Sequence, residues 1–338
     1  MAACLIVPRW LFVSLFLAAC LSLASCDADS ESVDALAVDE GYVDVGDGVR
    51  LFYRRVGKGG DPLVVLHGGP GFSMAYFGND LEPLAEHRTL IFYDQRGGGR
   101  STLVQSAEAL DAQRFVEDLE ALRQHFEIER LNLLGHSWGT AVAALYAKRY
   151  PDHVERLLIV GGIPLHQEGL VAAFDRLAES RDEEEKARLQ ALREAVQADP
   201  EDVALCREIY EVWFRPFFGV DDASLHGRMD VCQDSPEALG NKVRHVDRYT
   251  FSSLGVWDWR LALRELETPT LILHGKLDPL PWEDAREWAE VLPQGRFLLL
   301  DGIGHFPYLE APEVFFTAAA GFLDGDWPDN AGTVDDSP

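Results

Sequence analysis

Positive charge is scarce in this chain. Its 338 residues include 30 Lys or Arg against 57 Asp or Glu, so the formal net charge is −27. Proteins that bind nucleic acid rely on Lys and Arg contacts to phosphates. The composition therefore argues against nucleic acid as a partner, and the excess of acidic residues is typical of a highly soluble surface.

Cysteine is also rare, with five in the whole chain. No Cys or His pair has the spacing of a zinc site, and we expect neither a metal nor a cofactor. If Cys26 carries lipid, Cys206 and Cys232 are the cysteines left in the mature chain. Outside the cytoplasm these two can pair, which would stabilise the fold by about 3 kcal/mol. Two unpaired buried thiols are the alternative.

The chain lacks an apolar run long enough to span a bilayer comfortably, and its longest one covers residues 10–19. Leu23-Ala24-Ser25-Cys26 follows, and this segment resembles a bacterial lipoprotein signal peptide that ends in an acylated cysteine. Cys20 fits the same short pattern, but Cys26 is preferred because polar, acidic residues start directly after it. Ordinary secretion with cleavage near Ala24 is the alternative.

Residues 27–40 are acidic and poor in large apolar side chains, which predicts a flexible tether. Fourteen residues of such chain reach roughly 20 Å. We therefore expect an exported protein whose lipid anchor holds a folded domain on the outer side of a bacterial membrane. The lipid is its expected membrane contact.

Short apolar strand-type runs alternate with helical segments through most of the chain. These runs cover residues 42–45, 49–56, 63–66, 89–93, 131–134, 154–160, 270–274 and 296–300. Alternating strands and helices predict an α/β fold, with a mostly parallel sheet covered by helices on both faces. The alternation stops at residues 164–260, which predicts an inserted helical cap between core segments 41–163 and 261–323. An acidic tail, 324–338, is predicted to be disordered.

The sequence Gly135-x-Ser137-x-Gly139 lies between an apolar strand, residues 131–134, and a helical segment, residues 141–150. The order of strand, sharp turn and helix is that of a nucleophile elbow. Glycines at both ends allow strand and helix to approach closely while the serine is held at the tip in a strained backbone conformation. We therefore predict Ser137 as the nucleophile.

A serine nucleophile needs a base and an orienting acid, which follow it along the chain in the order acid, then histidine. His305 comes after the last predicted strand, and Asp278 follows the strand before it. Residues 161–164, the other place for such an acid, contain no carboxylate. We predict Asp278 as the acid and His305 as the base, with Asp258 and Asp284 as alternative acids.

A tetrahedral intermediate needs backbone N–H donors for its oxyanion. We predict that Trp138, directly after the nucleophile, and Gly69, in the glycine-rich turn after residues 63–66, supply them. His67 and His136 lie beside this site in the sequence and are predicted to be structural.

Four motifs together resemble the proline iminopeptidase (prolyl aminopeptidase) family of α/β-hydrolases. They are His67–Gly71 (HGGPG), Asp94–Ser101 (DQRGGGRS), Gly135–Gly139 (GHSWG) and Trp257-Asp258 near the cap exit. The resemblance extends over nearly all of residues 41–323. It implies an α/β-hydrolase fold, places triad and oxyanion donors at the positions above, and implies cap carboxylates that bind the free ammonium of a peptide.

The cap departs from the family pattern, since the usual tryptophan–glutamate pairing is absent. Pro279 follows Asp278 where a carboxylate is usual, and His136 stands where Gly is common. Four cap carboxylates are candidates for binding the substrate ammonium: Glu211, Asp230, Asp234 and Glu237.

The leading hypothesis is a serine hydrolase that releases an N-terminal proline or small apolar residue from small peptides through an acyl-enzyme. A carboxylic-ester or lactone hydrolase with the same Ser137, Asp278 and His305 is the alternative. A non-enzymatic surface-binding lipoprotein is the third class, and the presence of a complete Ser–Asp–His set argues against it. The sequence makes no prediction of oligomeric state.

Overall fold

The computed structural model describes residues 36–220 and 223–332. Eight strands form its sheet. They are β1 Ala37–Asp44, β2 Arg50–Gly57, β3 Pro62–Leu66, β4 Thr89–Tyr93, β5 Leu131–His136, β6 Val154–Val160, β7 Thr270–Gly275 and β8 Gly295–Leu300. The predicted lipidation site, Cys26, lies outside the described residues.

The strands follow the order β1-β2-β4-β3-β5-β6-β7-β8 across the sheet. β1–β2 and β2–β4 are antiparallel, and all the other neighbours are parallel. Two hydrophobic cores lie on the two faces of the sheet, and β3 contributes to both. Val64 and Leu66 belong to one core and Leu63 and Val65 to the other, which explains why these four residues are all apolar. The predicted mostly parallel sheet with both faces covered is confirmed.

Twelve α-helices occur in the described residues. They are α1 Ala112–His125, α2 Trp138–Arg149, α3 Gln167–Ser180, α4 Glu183–Ala198, α5 Val203–Phe214, α6 Ala223–His226, α7 Pro236–Asn241, α8 Asp247–Ser253, α9 Arg260–Leu263, α10 Trp282–Val291, α11 Pro307–Glu310 and α12 Pro312–Asp324. None of these helices has the length and apolar character needed to cross a membrane.

Helices α3 to α9 lie between β6 and β7, where the sequence predicts the cap. A π-helical turn, Lys242–Val246, joins α7 to α8. Helix α5 begins where the Asp202 side chain accepts hydrogen bonds from the backbone N–H groups of Ala204 and Leu205. A disulfide between Cys206 of this helix and Cys232 ties α5 to the loop before α7. The two cysteines are therefore paired, and the alternative of two free thiols is excluded.

Both ends of the described chain extend further into ordered structure than the sequence suggests. Strand β1 begins at Ala37, within the stretch predicted as a tether, because its backbone pairs with β2 along its whole length. At the other end, Trp327 packs on Phe322 with ring centroids 5.0 Å apart. The backbone N–H of Phe297 also donates to the carbonyl of Gly332. The prediction of a disordered tail is therefore wrong for residues 324–332, the first of which is the last residue of α12.

Candidate active site

Ser137 occupies the sharp turn between β5 and α2. Its backbone φ of 53° and ψ of −122° lie where L-residues are rarely found. The flanking glycines permit this turn: a Cβ on Gly135 would lie 2.8 Å from the carbonyl oxygen of Gly139. A Cβ on Gly139 would clash with the backbone carbonyl of Leu66. The close approach of strand and helix therefore requires glycine at both positions.

Asp278 and His305 follow β7 and β8, and their side chains are in direct contact. The Nδ1 atom of His305 lies 2.6 Å from Oδ2 of Asp278. The other carboxylate oxygen, Oδ1, accepts a hydrogen bond of 2.9 Å from the backbone N–H of Leu280. These two contacts fix the carboxylate, and they imply that Nδ1 of His305 carries the proton and that Nε2 has a free lone pair.

Burial dominates the electrostatics of this pair. It raises the pKa of the Asp278 carboxyl, against the opposing effects of His274 and the Leu280 N–H. Burial also lowers the pKa of His305, which favours a neutral imidazole at neutral pH. A neutral imidazole with a free Nε2 is able to accept a proton.

Ser137 and His305 line the same cavity, whose volume is about 330 Å³. Its walls are mainly aromatic and come from core and cap alike: Phe72, Tyr76, Trp138, Phe174, Tyr210, Trp213, Phe214, Phe217 and Phe251. Gly69, predicted with Trp138 to bind the oxyanion, also lines it. The structure thus brings all these predicted residues except Asp278 to one cavity, with Asp278 buried behind His305.

Gln95 connects the two segments predicted to bind the oxyanion. Its side-chain amide donates to the carbonyl of His67 at 3.0 Å, and its side-chain carbonyl accepts from the indole N–H of Trp138 at 2.9 Å. Its backbone N–H donates to Nε2 of His67 at 3.1 Å. The sequence analysis included Gln95 in a motif but assigned it no role. In the structure, Gln95 forms hydrogen bonds with both His67 and Trp138 and so connects the two segments.

His67 and His136 have their ring nitrogens satisfied. His67 Nδ1 bonds the carbonyl of Gly68 at 2.8 Å, and burial lowers its pKa to about 4. His136 lies between the hydroxyl of Tyr76, 2.9 Å from Nδ1, and the carbonyl of His305, 2.8 Å from Nε2. Both rings are buried in neutral hydrogen-bond networks, as expected for structural histidines.

The alternative acids have other surroundings. Asp258 is exposed and forms an ion pair with Arg260 across 2.5 Å. Asp284 lies in the first turn of α10, where burial raises its carboxyl pKa. Asp278 is the acid in contact with His305.

The predicted ammonium-binding carboxylates lie apart from this cavity. Asp230 pairs with Arg207 at 2.9 Å and lines, with Glu211, a second cavity of about 380 Å³. Asp234 borders a third cavity, of about 550 Å³, and Glu237 is exposed in the first turn of α7. None of the four is among the described residues that line the cavity of Ser137. Their role in binding substrate stays a prediction.

The charged residues that do line this cavity are Arg193, Lys242 and Asp247. The ammonium of Lys242 lies 2.8 Å from both carboxylate oxygens of Asp247 and 4.9 Å from the ring centroid of Phe72. Burial acts to lower the pKa of Lys242, but the Asp247 carboxylate and the Tyr210 hydroxyl outweigh it and raise the pKa. Sequence reasoning missed these three residues, because nothing in their local pattern marks them.

A mostly parallel sheet, an inserted helical cap and a serine on a sharp strand–helix turn define an α/β-hydrolase. The family model described as "alpha/beta hydrolase fold" matches residues 61–312. The chain therefore belongs to the α/β-hydrolase family, and it is an enzyme, a hydrolase.

Among its relatives, the chain is similar to two proteins named proline iminopeptidase. That of Heyndrickxia coagulans is 28% identical over 302 residues, which cover 84% of this chain and 98% of the relative. That of Clostridioides difficile (strain 630) is 27% identical over 304 residues, covering 85% and 99%. The solved structure of the Mycobacterium smegmatis proline iminopeptidase is 25% identical, with a TM-score of 0.66, covering 85% of this chain and 98% of that one. The similarity covers nearly the whole length of each of these relatives.

Proposed function

We propose that Ser137 is the nucleophile of this hydrolase, His305 its general base, and Asp278 the carboxylate that orients the imidazole. The 2.6 Å contact between His305 Nδ1 and Asp278 Oδ2 carries this proposal, because it leaves Nε2 as the atom that accepts a proton. The shared cavity of Ser137 and His305 supports it further.

In the proposed reaction, Oγ of Ser137 bonds to the substrate carbonyl carbon while its proton passes to Nε2 of His305. The backbone N–H groups of Gly69 and Trp138 donate to the oxyanion of the tetrahedral intermediate. When the intermediate collapses, the C–N bond breaks and His305 returns the proton to the leaving nitrogen. Water, deprotonated by His305, then cleaves the acyl-enzyme by the same steps.

We infer that the substrates are peptides with an N-terminal proline or a small apolar residue. The relatives named proline iminopeptidase support this inference. The cavity is lined largely by aromatic side chains from both the core and the cap, which suits a compact apolar ring. Its carboxylate is Asp247, whose side chain is 43% exposed, and we propose Asp247 as the acceptor for the substrate ammonium.

The test is release of arylamine from proline arylamides by purified protein comprising residues 27–338, beside short acyl esters. We expect release, with turnover lowered by several orders of magnitude, about 10³-fold or more, in Ser137→Ala and in His305→Ala. Brisk ester cleavage without arylamine release would reject the aminopeptidase hypothesis in favour of the esterase or lactonase alternative. Failure of a fluorophosphonate to label Ser137 would contradict its proposed role as the nucleophile.

We also propose that the protein is exported and lipid-anchored through Cys26. The Cys206–Cys232 disulfide supports export, because such bonds persist mainly in oxidising compartments. Fatty-acid labelling of the protein in a lipoprotein-processing bacterial host tests the anchor. We expect labelling to be lost in Cys26→Ala and retained in Cys20→Ala. The reverse pattern would assign the anchor to Cys20, and no labelling of the original protein would contradict lipidation.

A further inference from the structure

The charges that line the cavity of Ser137 do not balance. The described lining residues contribute two cations, Arg193 and Lys242, and one carboxylate, Asp247. Lys242 and Asp247 form an ion pair, since the Lys242 ammonium contacts both oxygens of Asp247 at 2.8 Å, and each oxygen keeps a lone pair for a further donor. The charge of Arg193 is left over, in a chain whose formal net charge is −27.

Arg193 is held by an aromatic ring instead of a carboxylate. Its guanidinium carbon lies 5.5 Å from the ring centroid of Trp213, which also lines the cavity. No carboxylate of the described residues lies within ion-pair distance of Arg193, whereas Arg188 on the same helix, α4, pairs with Glu208 at 3.4 Å. Stacking on Trp213 restricts the guanidinium and leaves its N–H donors free.

A second charge effect is visible at Arg181, which stacks at 5.6 Å from the same ring of Trp213. Burial lowers the pKa of Arg181, and the positive charge of Arg193 adds to that effect against the opposing Glu185. Two guanidinium groups therefore share one aromatic ring, and an anion bound at Arg193 relieves their repulsion.

Arg193 lies where the cavity meets a further one. An adjoining cavity of about 160 Å³ shares five of its lining residues with the cavity of Ser137: Arg193, Ile209, Tyr210, Lys242 and Asp247. A substrate that extends away from Ser137 into this second space passes Arg193. An extended tripeptide is at most about 11 Å long, so short peptides fit such a path.

We propose that Arg193 binds the C-terminal carboxylate of the substrate, so that the preferred substrates are di- and tripeptides with a free C terminus. The planar guanidinium matches a carboxylate through two parallel N–H···O bonds. With Asp247 as the ammonium acceptor, the site then offers one partner for each end of a short zwitterionic peptide. This inference rests on the proposed aminopeptidase function and narrows its substrate class.

The experiment compares kcat/KM for prolylalanine and for prolylalanine amide, which differ in the C-terminal charge. We expect the original protein to prefer the free acid about tenfold, as for a charge-assisted contact at a partly exposed site. In Arg193→Gln the ratio of kcat/KM for the acid to that for the amide should fall to about one, and in Arg193→Lys it should be reduced but remain above one. Added salt should lower this ratio in the original protein. Arg188→Gln, which removes an equal charge from α4 outside the cavity, should keep the full preference.

A proline arylamide separates the two proposals, because it has no carboxylate. We expect Arg193→Gln to hydrolyse it within about twofold of the original rate, since the lost contact is absent from this substrate. If the acid-to-amide ratio were the same in the original protein and in Arg193→Gln, the proposed role of Arg193 would be overturned, and the aminopeptidase proposal would be unaffected. A similar loss on all three substrates would assign Arg193 a structural role and also overturn the proposal. No cleavage of any prolyl substrate would overturn the aminopeptidase proposal itself.

Discussion

The side-chain carbonyl of Gln95 accepts a hydrogen bond from the indole N–H of Trp138, at 2.9 Å. The same side chain donates to the carbonyl of His67. One buried amide therefore fixes the position of Trp138, directly after the proposed nucleophile, relative to the glycine-rich turn. Since a misplacement of 1 Å is costly in catalysis, this arrangement is expected to control the oxyanion donors.

Gln95→Met should lower kcat about 10- to 100-fold and leave KM nearly unchanged. Methionine fills a similar volume, but it leaves the Trp138 indole N–H and the His67 carbonyl without partners. Steady-state kinetics on a proline arylamide measure the split between kcat and KM. Gln113→Met, on the exposed face of α1, is the matched control and should leave both constants unchanged. A rise in KM of this size with kcat unchanged would show that Gln95 acts on substrate binding instead.

Asp278→Asn should lower kcat about 10⁴-fold, because an amide beside His305 Nδ1 no longer favours the tautomer with a free Nε2. The fold should be retained, since the Asn carbonyl can still accept from the N–H of Leu280. Circular dichroism checks the fold, and initial rates check the activity. Asp258→Asn and Asp284→Asn should remain active. A loss in either of them that matches Asp278→Asn would reassign the acid.

Removing the disulfide with Cys206→Ser and Cys232→Ser should lower the free energy of unfolding by about 3 kcal/mol, given the sequence separation of 26 residues. Denaturant unfolding of the double variant measures the difference. Reductant should destabilise the original protein by a similar amount and have no effect on the variant. A variant as stable as the original protein would show that α5 is held by packing alone.

Gly139→Ala should strongly destabilise the protein, by about 3 kcal/mol or more, because its Cβ would clash with the backbone carbonyl of Leu66. Gly321→Ala is the control: Gly321 lies inside α12, and its Cβ would meet no atom within 4 Å. That substitution should stabilise the protein by about 0.5–1 kcal/mol through helix propensity. Thermal unfolding of both variants tests the pair, and equal stabilities would contradict the close strand–helix contact at Gly139.

The sequence predicted the sheet and the turn at Ser137 well because their signals are local. The run Leu131–Leu134 is apolar enough to be buried on both faces, and Gly135 satisfies a steric requirement of the turn itself, because its Cβ would meet the backbone of Gly139. Neither signal depends on what the rest of the chain does. Residues 324–332 were mispredicted for the opposite reason, since this segment contacts residues far earlier in the chain: Trp327 packs on Arg296, and Gly332 accepts a hydrogen bond from Phe297.

The cap could not be predicted at the level of single side chains. Helical propensity indicated helices there, but the orientation of each helix depends on packing against the core. Glu211 and Tyr210 are adjacent in α5, yet Tyr210 lines the cavity of Ser137 and Glu211 does not. Lys242 and Asp247 are five residues apart, a spacing that faces a common side in a π-helical turn and not in an α-helix. No local pattern in the sequence predicted this π-helical turn.

The sequence by itself determined the order of strands and helices and the sharp turn at Ser137, because these follow from short-range sterics and hydrophobic periodicity. Only the tertiary structure decided that Asp278 touches His305, that Cys206 pairs with Cys232, and which charges face the cavity. Those relationships join residues far apart in the chain, and their distances are set by how whole elements pack rather than by any residue's neighbours in sequence.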